Sequence, residues 1–299
     1  MFTLLYKIYI INFNYSFMFT IIFDTYSGLC NQMYDIHSGV NFCITYNIPF
    51  TFRFASFRSS TDLCKWFNVE FTELFDTDFL SEIELYKPYD TLDCNIKNTY
   101  NYNNDDRSIE WIDTERAIFP QLDRIQKKYI VLRQFWSIPC NITDSIFIYP
   151  ILTPCEKLMR IFKRITQSLP PKYNLIHYRY EDDFNTHFKI ANPLKLCDII
   201  SHVKFKDENI PTYIAANNVH KIPKSLLPVP IDTMENIIYK SKDMVDKLNF
   251  EEAAFVDYMI GKNAVEFYGH HNSSFSTLIN SSHCTNNYYD LEMNAHIIK

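Results

Sequence analysis

The feature that most constrains this chain is the punctuation of its second half, where helix and strand signals alternate. Thr153-Pro154-Cys155-Glu156 reads as a capping box with proline at the first helical position, and Leu158, Ile161, Phe162, Ile165 and Leu169 follow at helical spacing. Pro170-Pro171 stops that helix, and the apolar run from Tyr173 to Ile176 reads as a strand. Asn192-Pro193 opens a helix to about Lys204, and Pro211 to Ala216 is the next strand. Asn249 caps a further helix with Ala253, Val256, Met259 and Ile260 on its apolar face, and Gly261 is read as its end. Val265 to Tyr268 is a short strand, and Gly269 to Thr277 opens one more helix. This alternation predicts an α/β fold with parallel strands.

The strand after Pro171 ends in charge: His177-Tyr178-Arg179-Tyr180-Glu181-Asp182-Asp183-Phe184. Period-two alternation puts His177 and Arg179 on one face at the carboxyl edge of the sheet, where open α/β sheets bind ligands. Arginine suits a diphosphate there, because its planar fork makes paired, charge-assisted hydrogen bonds and never deprotonates. The competing reading is a strand closed by a surface salt bridge among Arg179, Glu181 and Asp182.

The first half repeats the theme once. Phe17 to Phe23 reads as a buried strand leading into Asp24, then comes Gly28-Leu29-Cys30-Asn31-Gln32, then a helix from Met33 to Tyr46 with Ile36, Val40, Cys43 and Ile44 on one face. A strand, a glycine turn and a helix start bring backbone N–H groups and a helix N-terminus to a ligand, and Asn31 and Gln32 add amide donors. Ile48 to Phe52 supplies a second strand and Tyr129 to Leu132 another; the mixed segment Thr61 to Tyr86 reads as helical, and Asn95 to Asp106 as a loop.

At 299 residues the chain has room for two domains, and three prolines between Pro139 and Pro154 mark the crossing. Net charge of -6 argues against a nucleic-acid surface, and Lys157, Arg160, Lys163 and Arg164 have the spacing of a solvated helix face. Eight cysteines fall in no C-x-x-C pair, so no structural metal is expected. Residues 1–17 are interrupted by Lys7, Asn12, Asn14 and Ser16, which argues against a membrane span or a signal peptide and for an N-terminal extension. Sequons stand at Asn14, Asn141, Asn272 and Asn280. A glycan on Asn272 would block the last helix start, so cytoplasmic synthesis is favoured, or an unused site in an Asn-rich chain.

In order, the Gly28–Gln32 loop, the His177–Phe184 segment and the Asp257–Ser276 block resemble the motifs of the protein O-fucosyltransferase and fucosyltransferase superfamily, inverting enzymes of the GT-B type. That family shows a G-x-x-N-Q loop, an H-x-R-x-x-x-D motif and a late S-S-F-(S/T) block, and the His-x-Arg-Tyr-Glu form is most similar to its plant-like branch. The resemblance implies two Rossmann-like domains facing across a cleft: 18–150 on the acceptor side and 151–299 binding a nucleotide sugar, with GDP-fucose as donor and a hydroxyl of a protein or glycan as acceptor. It implies no cofactor. It makes Arg179 the residue that grips the diphosphate and stabilises the charge left as the sugar departs, with Asn31 facing the sugar. His177, Ser273, Ser274 and Phe275 would line the nucleotide pocket, Asp183 would pin its loop, and Gly28 would stand in the loop where one branch carries an acid.

Asp35, His37, Glu181, Asp182 and Asp183 are all open as the general base, as is a reaction without a strong base. Rival readings are a transferase using another nucleotide sugar, such as a rhamnosyl donor, an inactive sugar-nucleotide or glycan-binding protein on the same scaffold, and an unrelated α/β protein. Glu181 to Asp183 looks like an acidic metal cluster, whereas the resemblance implies a diphosphate held without metal. Transfer activity is therefore expected to survive EDTA; loss on chelation with rescue by Mn²⁺ would overturn this.

Overall fold

A computed structural model describes residues 19–59, 65–92, 109–112, 128–133, 152–187, 189–190, 193–285 and 287–289. The expected extension over 1–17, the loop at 95–106, the crossing over 139–151 and the sequons at Asn14 and Asn141 lie outside these residues, and the helix expected to open at Asn192-Pro193 starts instead at Leu196, because the backbone at Lys195 is still extended. By contacts the chain divides into two compact units: Met1–Tyr26, Asn31–Ala55 and Val69–Leu152 form the first, and Ser27–Cys30, Ser56–Asn68 and Thr153–Lys299 the second.

The first sheet contains β1 (Thr20–Asp24), β2 (Phe50–Arg58), β3 (Trp66–Glu70), β4 (Ile109–Ile112) and β5 (Tyr129–Arg133), in the order β3-β2-β1-β5-β4. The β1–β2, β1–β5 and β4–β5 pairs are parallel. Helix α1 (Leu29–Tyr46) follows β1, and Gly39 lets it approach closely, since a Cβ there would meet the Phe23 ring at 2.9 Å. Phe23, Phe52, Phe71 and Phe75 form a continuous run of stacked rings, with successive centroids 5.2, 4.8 and 4.9 Å apart. Among the buried charges, the Asp24 carboxylate accepts from Arg53 Nε at 2.8 Å and from Nη2.

Three expectations are corrected in this half. The helix begins at Leu29, so the Asn31 and Gln32 amides stand on its first turn and not in a preceding loop. β2 runs past Phe52 to Arg58. Over Lys65–Tyr86 the helix expected for Thr61–Tyr86 is not formed: β3 is followed by a 3-10 turn at Phe71–Glu73 and by the short α2 (Asp78–Ser81). Pairing beside β2 wins over local pattern at Trp66–Glu70, and Phe71, Leu74 and Phe75 have helical spacing because one turn drops them into the core.

The second sheet is preceded by α3 (Glu156–Ser168) and contains β6 (Asn174–His177), followed by α4 (Asp182–His187) and α5 (Leu196–His202), then β7 (Thr212–Ala215) and β8 (Ile237–Ile238). After α6 (Lys242–Val245) and α7 (Phe250–Lys262) come β9 (Phe267–His270), α8 (Ser274–His283) and β10 (Tyr288–Tyr289). Strand order is β10-β9-β6-β7-β8, and every pair is parallel. All of β6 is buried, as a central parallel strand covered on both faces must be. Successive connections run from β6 outward through β7 to β8, then return to β9 on the other side. The chain thus reverses direction across the sheet beside β6, which is the topological switch point where such sheets open a ligand crevice.

Helix α7 packs against α3 and α8 and is buried on nearly every face. Gly261 does not end it; the residue lies within the last turn because α8 packs there, and a Cβ would come 2.6 Å from Ile279 Cδ1. Helix α3 starts at Glu156, not at the expected Pro154, because the backbone is still extended at Cys155 (ψ 160°), and no side chain caps it. Lys157, Arg160, Lys163 and Arg164 are all exposed. Among the described residues no helix is long and apolar enough to cross a membrane.

The start of α7 carries a complete capping box: Asn249 Oδ1 accepts from the Glu252 N–H at 2.9 Å, and Glu252 Oε2 accepts from the Asn249 N–H at 2.9 Å. Asn249→Ala is expected to cost about 1 kcal/mol of stability, read as a lower midpoint in urea unfolding. An unchanged midpoint would show that the box contributes nothing.

Candidate functional site

Beyond β6 the side chains alternate as they did within it. Tyr178 and Tyr180 turn into the core, where their hydroxyls donate to the Leu194 and Asn218 carbonyls at 2.8 Å each. His177 and Arg179 turn the other way, into a crevice of ≈ 310 Å³ shared with Glu181, Asn217, Phe250, Asp257 and Phe275. The crevice opens at the carboxyl end of the central strand, at the switch point.

Arg179 is held from several sides. Its Nε lies 3.2 Å from Glu181 Oε2, and its guanidinium carbon lies 4.8 Å from the Phe184 ring centroid and 5.9 Å from that of Phe250. Glu181 also accepts from the Tyr180 N–H at 3.2 Å, so the carboxylate is fixed by its own loop. Carboxylate and rings together restrict the arginine's rotamers.

Phe250 serves a second arginine. The Arg58 guanidinium stands over its ring at 3.9 Å and over Trp66 at 4.9 Å, while Arg58 Nε and N–H both donate to the Glu251 carboxylate at 2.8 Å. Glu251 is fully buried, and burial pushes its carboxyl pKa up, with Arg58 opposing. Gly28 packs on the same guanidinium: a Cβ there would fall 2.9 Å from Arg58 Nη2. Next to it the Cys30 thiol pKa is pushed up by burial and drawn back by Arg179 and Arg58.

On the far wall Asp257 is buried and accepts from the Tyr213 hydroxyl at 2.9 Å and from the buried Lys240 ammonium. Burial raises its pKa, Lys240 and Tyr213 oppose. A carboxylate so enclosed by its own donors is a structural partner of Lys240 and does not offer itself as a base.

Phe275 lies against His177, with ring centroids 4.3 Å apart. Ser273 is the N-cap of α8 but makes no side-chain capping bond, and Ser274 is its first residue; neither lines the crevice with Phe275. Asn31 is half-buried on the first turn of α1. Asp35 accepts from the Tyr26 N–H at 3.3 Å, and burial lowers the pKa of His37, whose ring lies 3.4 Å from the Asn41 amide. Asp182 and Asp183 open α4, and their side chains lie outside the described residues. Asn280 is buried with its amide donating to the Asn287 carbonyl, so the folded chain offers no sequon there. Among the described residues no group of three or more His, Cys, Asp and Glu is placed to hold a metal ion.

Sequence reasoning missed Arg58, Phe250 and Lys240. A signal for Arg58 existed: Phe54, Ala55 and Phe57 continue the β2 apolar run, which ends in an arginine as the run before Arg179 does. Nothing local marks Phe250 or Lys240, whose roles depend on what folds against them.

His177 is the electrostatic centre of the crevice. Burial first, then Arg179, His270 and Lys240, hold its pKa well below the ordinary value, so the imidazole is neutral. The unfolded chain binds a proton there below about pH 6.5 and the folded chain does not. Stability therefore falls as pH drops through that value, with a slope approaching about 1.4 kcal/mol per pH unit from this residue. His177→Gln is expected to remove that share of the slope in denaturant unfolding between about pH 7.5 and about pH 5; an unchanged slope would show that native His177 is protonated.

No protein-family model matches the chain, and no curated protein matches it by sequence. Solved structures do match by fold. POFUT1 in complex with GDP-fucose superposes with a TM-score of 0.56 at 12% identity, covering 91% of this chain and 97% of that one. A point mutant of Arabidopsis thaliana FUT1 in complex with GDP gives 0.53 at 11%, covering 91% and 70%. The fucosyltransferase NodZ from Bradyrhizobium gives 0.52 at 9%, covering 87% and 91%. At such identities the likeness is one of architecture: the chain has the α/β fold with parallel sheets that these GT-B fucosyltransferases share.

Proposed function

We propose that this protein is an inverting glycosyltransferase that moves fucose from GDP-fucose to a hydroxyl of a protein or glycan acceptor. The observation that carries the reading is Arg179 in the switch-point crevice of the second sheet, flanked by His177, Phe275 and Phe250, in a chain whose architecture is that of fucosyltransferases. Residues 151–299 bind the nucleotide sugar and residues 18–150 the acceptor. No cofactor takes part.

In this reading the acceptor hydroxyl attacks the anomeric carbon through an oxocarbenium-like transition state and gives up its proton to a base or to water, and the bond to the diphosphate breaks with its electron pair left on the diphosphate oxygen. Charge then accumulates on the leaving oxygens. A guanidinium already oriented by Glu181, Phe184 and Phe250 stabilises it without reorganising, and one such donor is typically worth about 3 to 4 kcal/mol, or roughly 10² to 10³ in rate. Because Arg179 supplies the compensating charge, a metal ion is not required for the step.

Thermal shift of the purified chain with GDP, UDP and their sugar conjugates tests the reading. GDP at about 100 times its Kd should add about 2.7 kcal/mol and raise the midpoint by a few degrees. Arg179→Ala should lose that shift, and Arg179→Lys should lose roughly 10² to 10³ in turnover, because a point charge cannot reproduce the fork. A shift with UDP alone would keep the site and change the donor; no shift with any nucleotide, or normal turnover in Arg179→Lys, would sink the assignment.

A further inference from the structure

Two groups converge on the Ser276 hydroxyl, which is fully buried. The His270 backbone N–H donates to Oγ at 3.0 Å, and His177 Nδ1 lies 2.8 Å from the same atom. The approach is possible because residue 269 is glycine: a Cβ there would fall 2.3 Å from Ser276 Oγ. A hydroxyl has one proton to donate, and an amide can only donate. If Nδ1 carried a proton and donated it to Oγ, the Ser276 proton would be enclosed with no acceptor among the described residues, which buried hydroxyls avoid. The hydroxyl therefore donates to a bare Nδ1, and the partner of one imidazole nitrogen decides the state of the other. Among the described residues nothing bonds His177 Nε2, and the ring lines the crevice beside Arg179.

We propose that Ser276 is a positioning residue that locks His177 as the Nε2–H tautomer, so that the crevice presents a neutral N–H donor next to the Arg179 cation. Burial and the neighbouring charges that keep the ring uncharged agree with this. The ligand atom it meets is a hydrogen-bond acceptor of the nucleotide, a statement that rests on the reading given under Proposed function. His177 does not act as the base, because the nitrogen that faces the crevice has no lone pair to offer. Cation and neutral donor side by side suit an acceptor with partial negative charge better than two cations would, since the second would meet the repulsion and desolvation of the first.

The full chain, labelled with ¹⁵N, tests this by long-range proton–nitrogen correlation of the imidazoles, with His177→Gln identifying the resonances. The wild type should show a bare Nδ1 and a protonated Nε2. Ser276→Ala should move both resonances toward the mixed-tautomer average and weaken GDP binding about tenfold, the scale of one hydrogen bond; Ser276→Thr, which keeps the hydroxyl, should restore the wild-type pattern. A wild-type Nδ1–H tautomer, an imidazolium, or a pattern unchanged in Ser276→Ala would overturn the proposal. The wild-type spectrum decides the tautomer even if Ser276→Ala does not fold. GDP should shift the Nε2 resonance; if it leaves an Nε2–H ring untouched, the nucleotide reading fails while the role of Ser276 stands.

Discussion

Charge has to emerge from the end of a strand that is buried along its whole length. β6 is covered on both faces, its last residue is the imidazole of His177, and the guanidinium of Arg179 follows two positions on. The fold meets that constraint by surrounding each with a specific partner: Glu181, Phe184 and Phe250 around Arg179, and Ser276 and Phe275 around His177. Most of what is distinctive in the second unit follows from those arrangements. Gly269 is needed so that Ser276 can reach the histidine, α7 must place Phe250 between two arginines, and Glu251 must be buried to hold one of them.

Buried charge recurs in paired form: Arg53 with Asp24 in the first unit, Arg58 with Glu251 and Lys240 with Asp257 in the second. An unpaired member of any of these would be strongly destabilising, while the intact pair adds little net stability over an apolar equivalent. Such pairs make sense as devices that fix geometry. Two of them border the crevice, Arg58–Glu251 through Phe250 and Lys240–Asp257 through Asp257 itself, so the walls are held in place by groups that are not themselves available for chemistry.

The architecture was largely legible because a parallel α/β sheet writes itself locally. Fully buried strands read as short apolar runs, helices as periodic ones, and prolines and Asn caps separate them; β6, β7, α7 and the region of β9 fall where those signals place them. At Trp66–Glu70 and at Gly261 a local rule pointed one way and a neighbour decided otherwise: β2 recruits an edge strand, and α8 requires a small residue. At the start of α3 the backbone is still extended at Cys155, and the helix begins at Glu156. Local propensity is worth fractions of a kcal/mol per residue, and a packed neighbour is worth more.

By itself the sequence determined that His177 and Arg179 share a face, because alternation along a strand is a property of the backbone and needs no partner. It also determined that a glycine stands before the serines of the last helix. Only the tertiary structure decided what surrounds these residues, since Phe250, Glu251, Arg58, Lys240 and Ser276 come together from segments far apart in the chain. Orientation, tautomer and charge state are set by contacts of that kind, through burial and hydrogen bonding, and no spacing along a chain encodes them.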